Sequence, residues 1–193
     1  MMVKTTFSAA LPANDCLNAT RKNISCTKGE HRMEFSGTQT IAAPHEKVWT
    51  FLEDVNNVAA CAPGFQSMEE LEAEHWKALV VAGVGSVKAK FTMDVTRPHM
   101  RESDHVDHSR MVVNARGKAS GSAVDMSGEL MLTSLDADHT RMDWKANVVV
   151  SGSIASVGSR LLQGTVEKLT AQFFDCLKSK LEKPAPDIVN TSS

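Results

Sequence analysis

The stretch from Ser153 to Lys183, SIASVGSRLLQGTVEKLTAQFFDCLKSKLEK, constrains the fold of this chain more than any other. Ile154, Val157, Leu161, Thr165, Leu169, Phe173, Leu177 and Leu181 recur every three or four residues, the spacing that gathers side chains on one stripe of an α-helix. Arg160, Glu167, Lys168, Lys178 and Glu182 fall outside that stripe. Ser151 or Ser153 is placed to cap the start, basic residues crowd the last turns where the helix dipole favours them, and Pro184 stops the run. One helix of this length spans more than about 40 Å at about 1.5 Å per residue. A small sheet covers it only by curling around it, and a helix wrapped in this way can leave a cavity beneath it.

Upstream the period changes from helical to strand-like. Phe35, Gly37, Gln39 and Ile41 alternate with polar neighbours, and the same alternation puts Trp76 to Ala82, Val87 to Val95, Met111 to Gly121, Val124 to Leu132 and Met142 to Val150 on apolar faces opposite charged ones. Between the first two strands Pro44 opens a helix with Val48, Phe51 and Leu52 at helical spacing. A second short piece, NNVAACA, ends at Pro63-Gly64. Short polar connections join the later strands, which predicts an antiparallel meander and an α+β domain rather than a parallel α/β sheet.

Composition bounds the function. At 193 residues with 42% hydrophobic content the chain can bury one real core, and a net charge of -2 gives it no basic excess to attract nucleic acid. No apolar run approaches the roughly 20 residues that span a bilayer, so membrane contact is expected to be peripheral. Cys16, Cys26, Cys61 and Cys176 show no C-x-x-C spacing, which argues against a disulfide framework or zinc site and for a reducing cytoplasm. Residues 1–32 mix Asn, Ser, Thr and Lys without a period and read as a disordered N-terminal extension, with a targeting peptide as the alternative and Met33 as a candidate natural start. Residues 184–193 read as a short disordered tail.

The local wording goes further. MEFSG at Met33, PHEKVWTFLED at Pro44, CAPGF at Cys61, GSVKAKF at Gly85, GKASGSA at Gly117 and GSRLLQGTVEKLTAQFFDCL at Gly158 together resemble the carbon monoxide dehydrogenase G-subunit family, within the START-like (SRPBCC) helix-grip superfamily. The resemblance covers residues 33–183. It implies a curved antiparallel sheet wrapped around a long C-terminal helix, with two short helices after the first strand. It also implies a non-enzymatic accessory protein with a hydrophobic cavity, linking a molybdenum hydroxylase to the membrane quinone pool. No covalently bound cofactor is expected, only a quinone or lipid guest. The chain departs from the family in its short ending after Lys183, PAPDIVNTSS, which lacks the longer tail that can attach relatives to the membrane.

The inward faces give the cavity reading its residues. Phe91, Met93, Met111, Val113, Gly117, Met126, Leu130, Met142, Trp144 and Ala146 from the strands, with Leu161, Thr165, Leu169 and Phe173 from the helix, form the expected lining. Methionine adapts to bulky apolar guests and small residues leave space, although the same residues can fill a solid core. Catalytic and metal constellations are weak. DHVDH at Asp104 to His108 has ligand residue types without a zinc spacing and falls in an expected hairpin loop, so no metal is assigned. Ser86 and Ser122 lie in no nucleophile elbow, and Gly83-Val84-Gly85 lacks the Lys-Ser or Lys-Thr of a phosphate loop. Cys61 reads as a small hydrophobe in a packed turn. The inward positions hold no Asp, Glu, His or Arg, only Gln39, whereas an aromatase, cyclase or hydratase on this scaffold needs a positioned acid or base. A ligand binder is therefore favoured, with that enzyme class and a ligand-free structural adaptor for a dehydrogenase as the alternatives.

Overall fold

A computed structural model describes residues 30–85, 87–102 and 108–182. In chain order the elements are β1 (Glu30–Ile41), α1 (His45–Glu53), α2 (Val55–Cys61), β2 (Phe65–Glu72), β3 (His75–Val84), β4 (Val87–Glu102), β5 (His108–Ala119), β6 (Ser122–Ser134), β7 (Thr140–Gly152), a 3-10 turn (Ser153–Val157) and α3 (Ser159–Leu181). The strands form one antiparallel sheet in the order β1-β7-β6-β5-β4-β3-β2, so the first strand closes onto the last. Its apolar face wraps α3, which is the helix-grip architecture.

Three elements differ from the sequence reading. β1 begins at Glu30, paired with Ser151, so residues 30–32 belong to the domain; the rest of the proposed extension and the tail lie outside the described residues. β2 has no counterpart in the sequence pattern. FQSMEELE carries isolated apolar residues among acidic ones, because an edge strand touches little core and its charges discourage pairing with another chain. The terminal helix is also shorter than expected. Gly158, at φ 95, separates the 3-10 turn from α3, whose 23 residues span about 34 Å, and no side chain caps it. Ser153 instead donates to the Gly121 carbonyl at 3.1 Å and contacts the Ser122 hydroxyl at 2.8 Å, fastening the turn to the β5–β6 hairpin.

The expected helical stripe is corrected on geometric grounds. Spacings of four residues advance about 40° per step around a helix, so a run of them from Leu161 to Leu181 drifts more than halfway round the surface. The buried residues of α3 are Leu162, Phe174, Leu177 and Leu181, whereas Leu161 is 45% exposed. Under α1 the core gains Trp49 beside Val48 and Leu52. Asp54 caps α2, accepting from the Asn56 amide at 2.9 Å.

Two cross-links fix the helices. Cys61 at the end of α2 and Cys176 on α3 form a disulfide with Cα atoms 5.5 Å apart and a sequence separation of 115, which overturns the reading of Cys61 as a packed small hydrophobe. Spacing along the chain could not show a pair that only the fold brings together. Arg97 of β4 is the second tie. It donates to the Leu52 and Glu53 carbonyls at 3.2 and 3.0 Å, pairs with Glu74 through both carboxylate oxygens, and lies over the Trp76 ring. Hydrogen bonding to Arg97 holds the Glu74 carboxyl below its ordinary value.

Candidate functional site

Within the sheet, α3 lies beside β1 and β3, and its Phe174 packs on Trp144 of β7 with ring centroids 5.3 Å apart. These two strands bracket β7, β6, β5 and β4 in the strand order, so the helix bridges the trough they form. Its last turn meets the end of β1, where the Ala42 amide donates to Glu182 at 3.3 Å and Lys47 donates to the Leu181 carbonyl at 2.6 Å. Near its start, Leu161 lies over the β3–β4 turn, 3.1 Å from where a Cβ on Gly85 would stand.

The residues expected to line a cavity divide into three groups. Phe91, Met111, Gly117, Met142 and Trp144 are buried in or beside the core. Met93, Val113, Leu130 and Ala146 on the strands, with Thr165, Leu169 and Phe173 on the helix, are half-buried. Met126 and Leu161 are exposed, at 37% and 45%. Met126 shares its face with Ala115 and Val148, its register partners, both of which are buried. The inner face is thus most open along β6, over Met126, Gly128 and Leu130. Leu161 does not join the lining, since it rides on the β3–β4 turn.

Small residues do not mark empty space in the way expected. A Cβ on Gly117 would stand 2.4 Å from the Met93 sulfur, so Met93 already lies across that glycine. A Cβ on Gly37 would stand 3.0 Å from the Trp144 ring in the same way. Both pairs are the large-over-small interdigitation of a packed interior.

The interior is also less uniformly apolar than the alternation implied. Ser109, 1% exposed, shares a 3.2 Å hydrogen bond with Nε2 of His45, and Thr140 donates to the Ala43 carbonyl at 2.8 Å. Ser109 was legible in principle, because it continues the inward parity of Met111 by one step. The indole nitrogens of Trp49 and Trp144 are buried without a hydrogen-bond partner. Gln39, half-buried on the inner face of β1, has no side-chain hydrogen bond among the described residues.

The opposite face is largely polar and carries an open groove of about 720 Å³, whose lining includes Lys77, Asp94, Arg116, Lys118, Asp125 and Asn147 together with Val149 and parts of Met93, Ala115 and Met126. Arg116 donates to Asp125 at 2.5 Å and Arg110 to Glu129 at 2.7 Å; these pairs raise the arginines and hold Glu129 below its ordinary value. Solvent-exposed pairs of this kind contribute little to stability. Among the described residues no group of three His, Cys, Asp or Glu side chains could hold a metal. Of the DHVDH segment, all but His108 lies outside the described residues.

Comparison with known proteins gives the arrangement a context. The family profile of the carbon monoxide dehydrogenase G-subunit (CoxG) matches residues 37–182. A conserved protein from Geobacillus kaustophilus is similar in structure with a TM-score of 0.67 and 23% identity, over 77% of this chain and 95% of its own. The Zhui aromatase/cyclase from Streptomyces sp. R1128 aligns with a TM-score of 0.58 and 20% identity, over 79% and 94%. A START superfamily protein from Mycobacterium smegmatis aligns at 0.57 and 14%, over 77% and 97%. At these identities the three structures establish a shared fold. No curated protein matches the sequence.

Proposed function

Since the chain belongs to the CoxG family of carbon monoxide dehydrogenase, we propose that it is a non-enzymatic carrier of a bulky apolar molecule, a quinone or related lipid, held between α3 and the inner face of the sheet. In this reading it serves as an accessory protein between a molybdenum-containing dehydrogenase and the membrane quinone pool. One observation carries the proposal: Met93, Val113, Met126, Leu130 and Ala146, on the inner face of the strands between β1 and β3, stay partly open although the helix lies on that face. A guest laid along that surface would complete their burial, at about 25 cal/mol for each Å² of apolar area removed from water.

Membrane contact would be peripheral, because no helix among the described residues is long and apolar enough to cross. The Cys61–Cys176 disulfide counts against the expected reducing cytoplasm, since such bonds persist in oxidising surroundings. An enzyme of the aromatase/cyclase kind has less support. The internal pair of Ser109 and His45 is hydrogen-bonded to itself, and Ser109 is closed off from the interior surface. The adaptor reading needs no open inner face.

Native mass spectrometry of protein purified from its own membrane-containing lysate tests the carrier reading, with a co-purifying quinone or prenyl lipid expected. A quinone analogue should quench tryptophan emission with saturation, and Ala146→Phe should weaken binding in a protein that stays folded. No saturable quenching by any quinone or prenyl lipid would overturn the reading and leave the adaptor, with the polar face as its docking surface.

A further inference from the structure

Two side chains with unspent hydrogen-bonding capacity stand beside each other on the inner face. Trp144 of β7 is nine-tenths buried, and its Nε1–H has no partner. Gln39 of β1 is half-buried, and its amide makes no hydrogen bond among the described residues. Gly37 faces Trp144 and Gln39 faces Met142 across the β1–β7 ladder, so Gln39 and Trp144 occupy diagonal positions on one face, within reach of a common group. Their surroundings are apolar: Phe174 lies 5.3 Å from the indole, and Phe35, Ile41 and Met142 belong to the same core.

An indole N–H can only donate, and a glutamine amide donates and accepts. A buried donor left unpaired is unfavourable, and a core built only for packing gains nothing from one here. Gly37 is the reason the N–H edge can lie where it does. Any Cβ at that position would stand 3.0 Å from Nε1, so only a glycine leaves room for the N–H edge there, while Phe174 packs on the ring. On its other side Trp144 adjoins the open strip of β6, since Leu130 is its register partner and Gly128 faces Ala146. Trp49, the other unpartnered indole, sits on α1 rather than on a strand of the sheet.

We propose that Trp144 Nε1–H and the Gln39 amide N–H receive a carbonyl-type acceptor oxygen of the guest. This rests on the carrier reading and narrows it: the ligand is an apolar body bearing at least one carbonyl oxygen, its polar end toward β1 and β7 and its body along β6, β5 and β4. A hydrocarbon of the same shape fills the trough but leaves both donors unpaired, and the protein discriminates against it.

The test titrates the full chain with a prenylated 1,4-naphthoquinone and with the prenylated naphthalene that lacks both oxygens. The three tryptophans give resolvable indole N–H signals by NMR, and equilibrium dialysis gives affinities. The quinone should move the Trp144 indole proton downfield and the hydrocarbon should not. Trp144→Phe and Gln39→Leu should each lower quinone affinity about five- to tenfold while the hydrocarbon changes less than about twofold. Equal binding of both probes by the wild type, or an unchanged quinone preference in both variants, would overturn the inference while leaving the carrier reading standing. Binding of neither probe would sink the carrier reading and this inference together. If Trp144→Phe does not fold, Gln39→Leu and the indole shift decide alone.

Discussion

The two halves of α3 are held in different ways. From Phe174 onward the helix is fastened by every available means: Phe174, Leu177 and Leu181 are buried, Cys176 is bonded to Cys61, and the last turn takes hydrogen bonds from Lys47 and Ala42. Before Thr170 only Leu162 is fully buried, Leu161 lies 45% exposed over the β3–β4 turn, and Gly164 has nothing within 4 Å of where a Cβ would stand. The helix starts at an uncapped glycine. One end therefore secures the fold, and the other rests on the trough without sealing it. In the carrier reading, this divides the labour between stability and access along a single element.

The difference can be measured. The largest effect is expected at Leu177, which is fully buried. Leu177→Ala should cost about 2–5 kcal/mol in chemical denaturation, and a loss below about 1 kcal/mol would show that the anchored half is not anchored by packing. Next comes the bridge between Cys61 and Cys176. Reduction, or Cys176→Ser, should remove about 2–4 kcal/mol and lower the thermal midpoint, because the unfolded chain regains the freedom of a long closed loop. An unchanged midpoint on adding reductant would mean that the packing alone holds α2 on α3.

The loosely held half should respond in the opposite sense. Gly164→Ala should raise stability by about 0.5–1 kcal/mol, since the methyl meets no neighbour and alanine is the better helix former. If it destabilises instead, that half is packed more tightly than described. The smallest effect belongs to Leu161→Ala, expected within about 0.5 kcal/mol because the side chain is 45% exposed. Hydrogen exchange should follow the same gradient, with amides around Gly164 exchanging well before those around Leu177.

Much of the domain was legible in the sequence because period two and period 3.6 are strong signals when one face is buried. The alternation through Met142, Trp144, Ala146, Val148 and Val150 survives intact in β7, where four of the five are buried and Ala146 half-buried. What failed was signal that depends on a third dimension. The acidic β2 has no buried face to write a pattern. The helical stripe rests on spacings of four, each tolerable alone and together a drift around the surface. Cys61 and Cys176 meet only after α2 docks on α3. In the candidate site the residue types were legible, but whether a glycine means space or means a neighbour lying over it was not: Met93 over Gly117 and Trp144 over Gly37 are facts of rotamer choice. Gln39 stands out in the sequence as an inward amide, but that an indole without a partner lies diagonally across from it could be seen only in the fold.

The bridge between α2 and α3 also decides how the domain would bear a load. Cys61 and Cys176 enclose β2 through β7 in one covalent loop, with β1, α1 and α2 on one side and the last turn of α3 on the other. Tension applied at the two ends of the domain would pass through the sulfur atoms and go around the sheet. In a single-molecule pulling experiment β1 would peel from β7 and the two short helices would uncoil, and the extension would then halt with six strands still in register. Only a reductant in the chamber would release the remaining contour length.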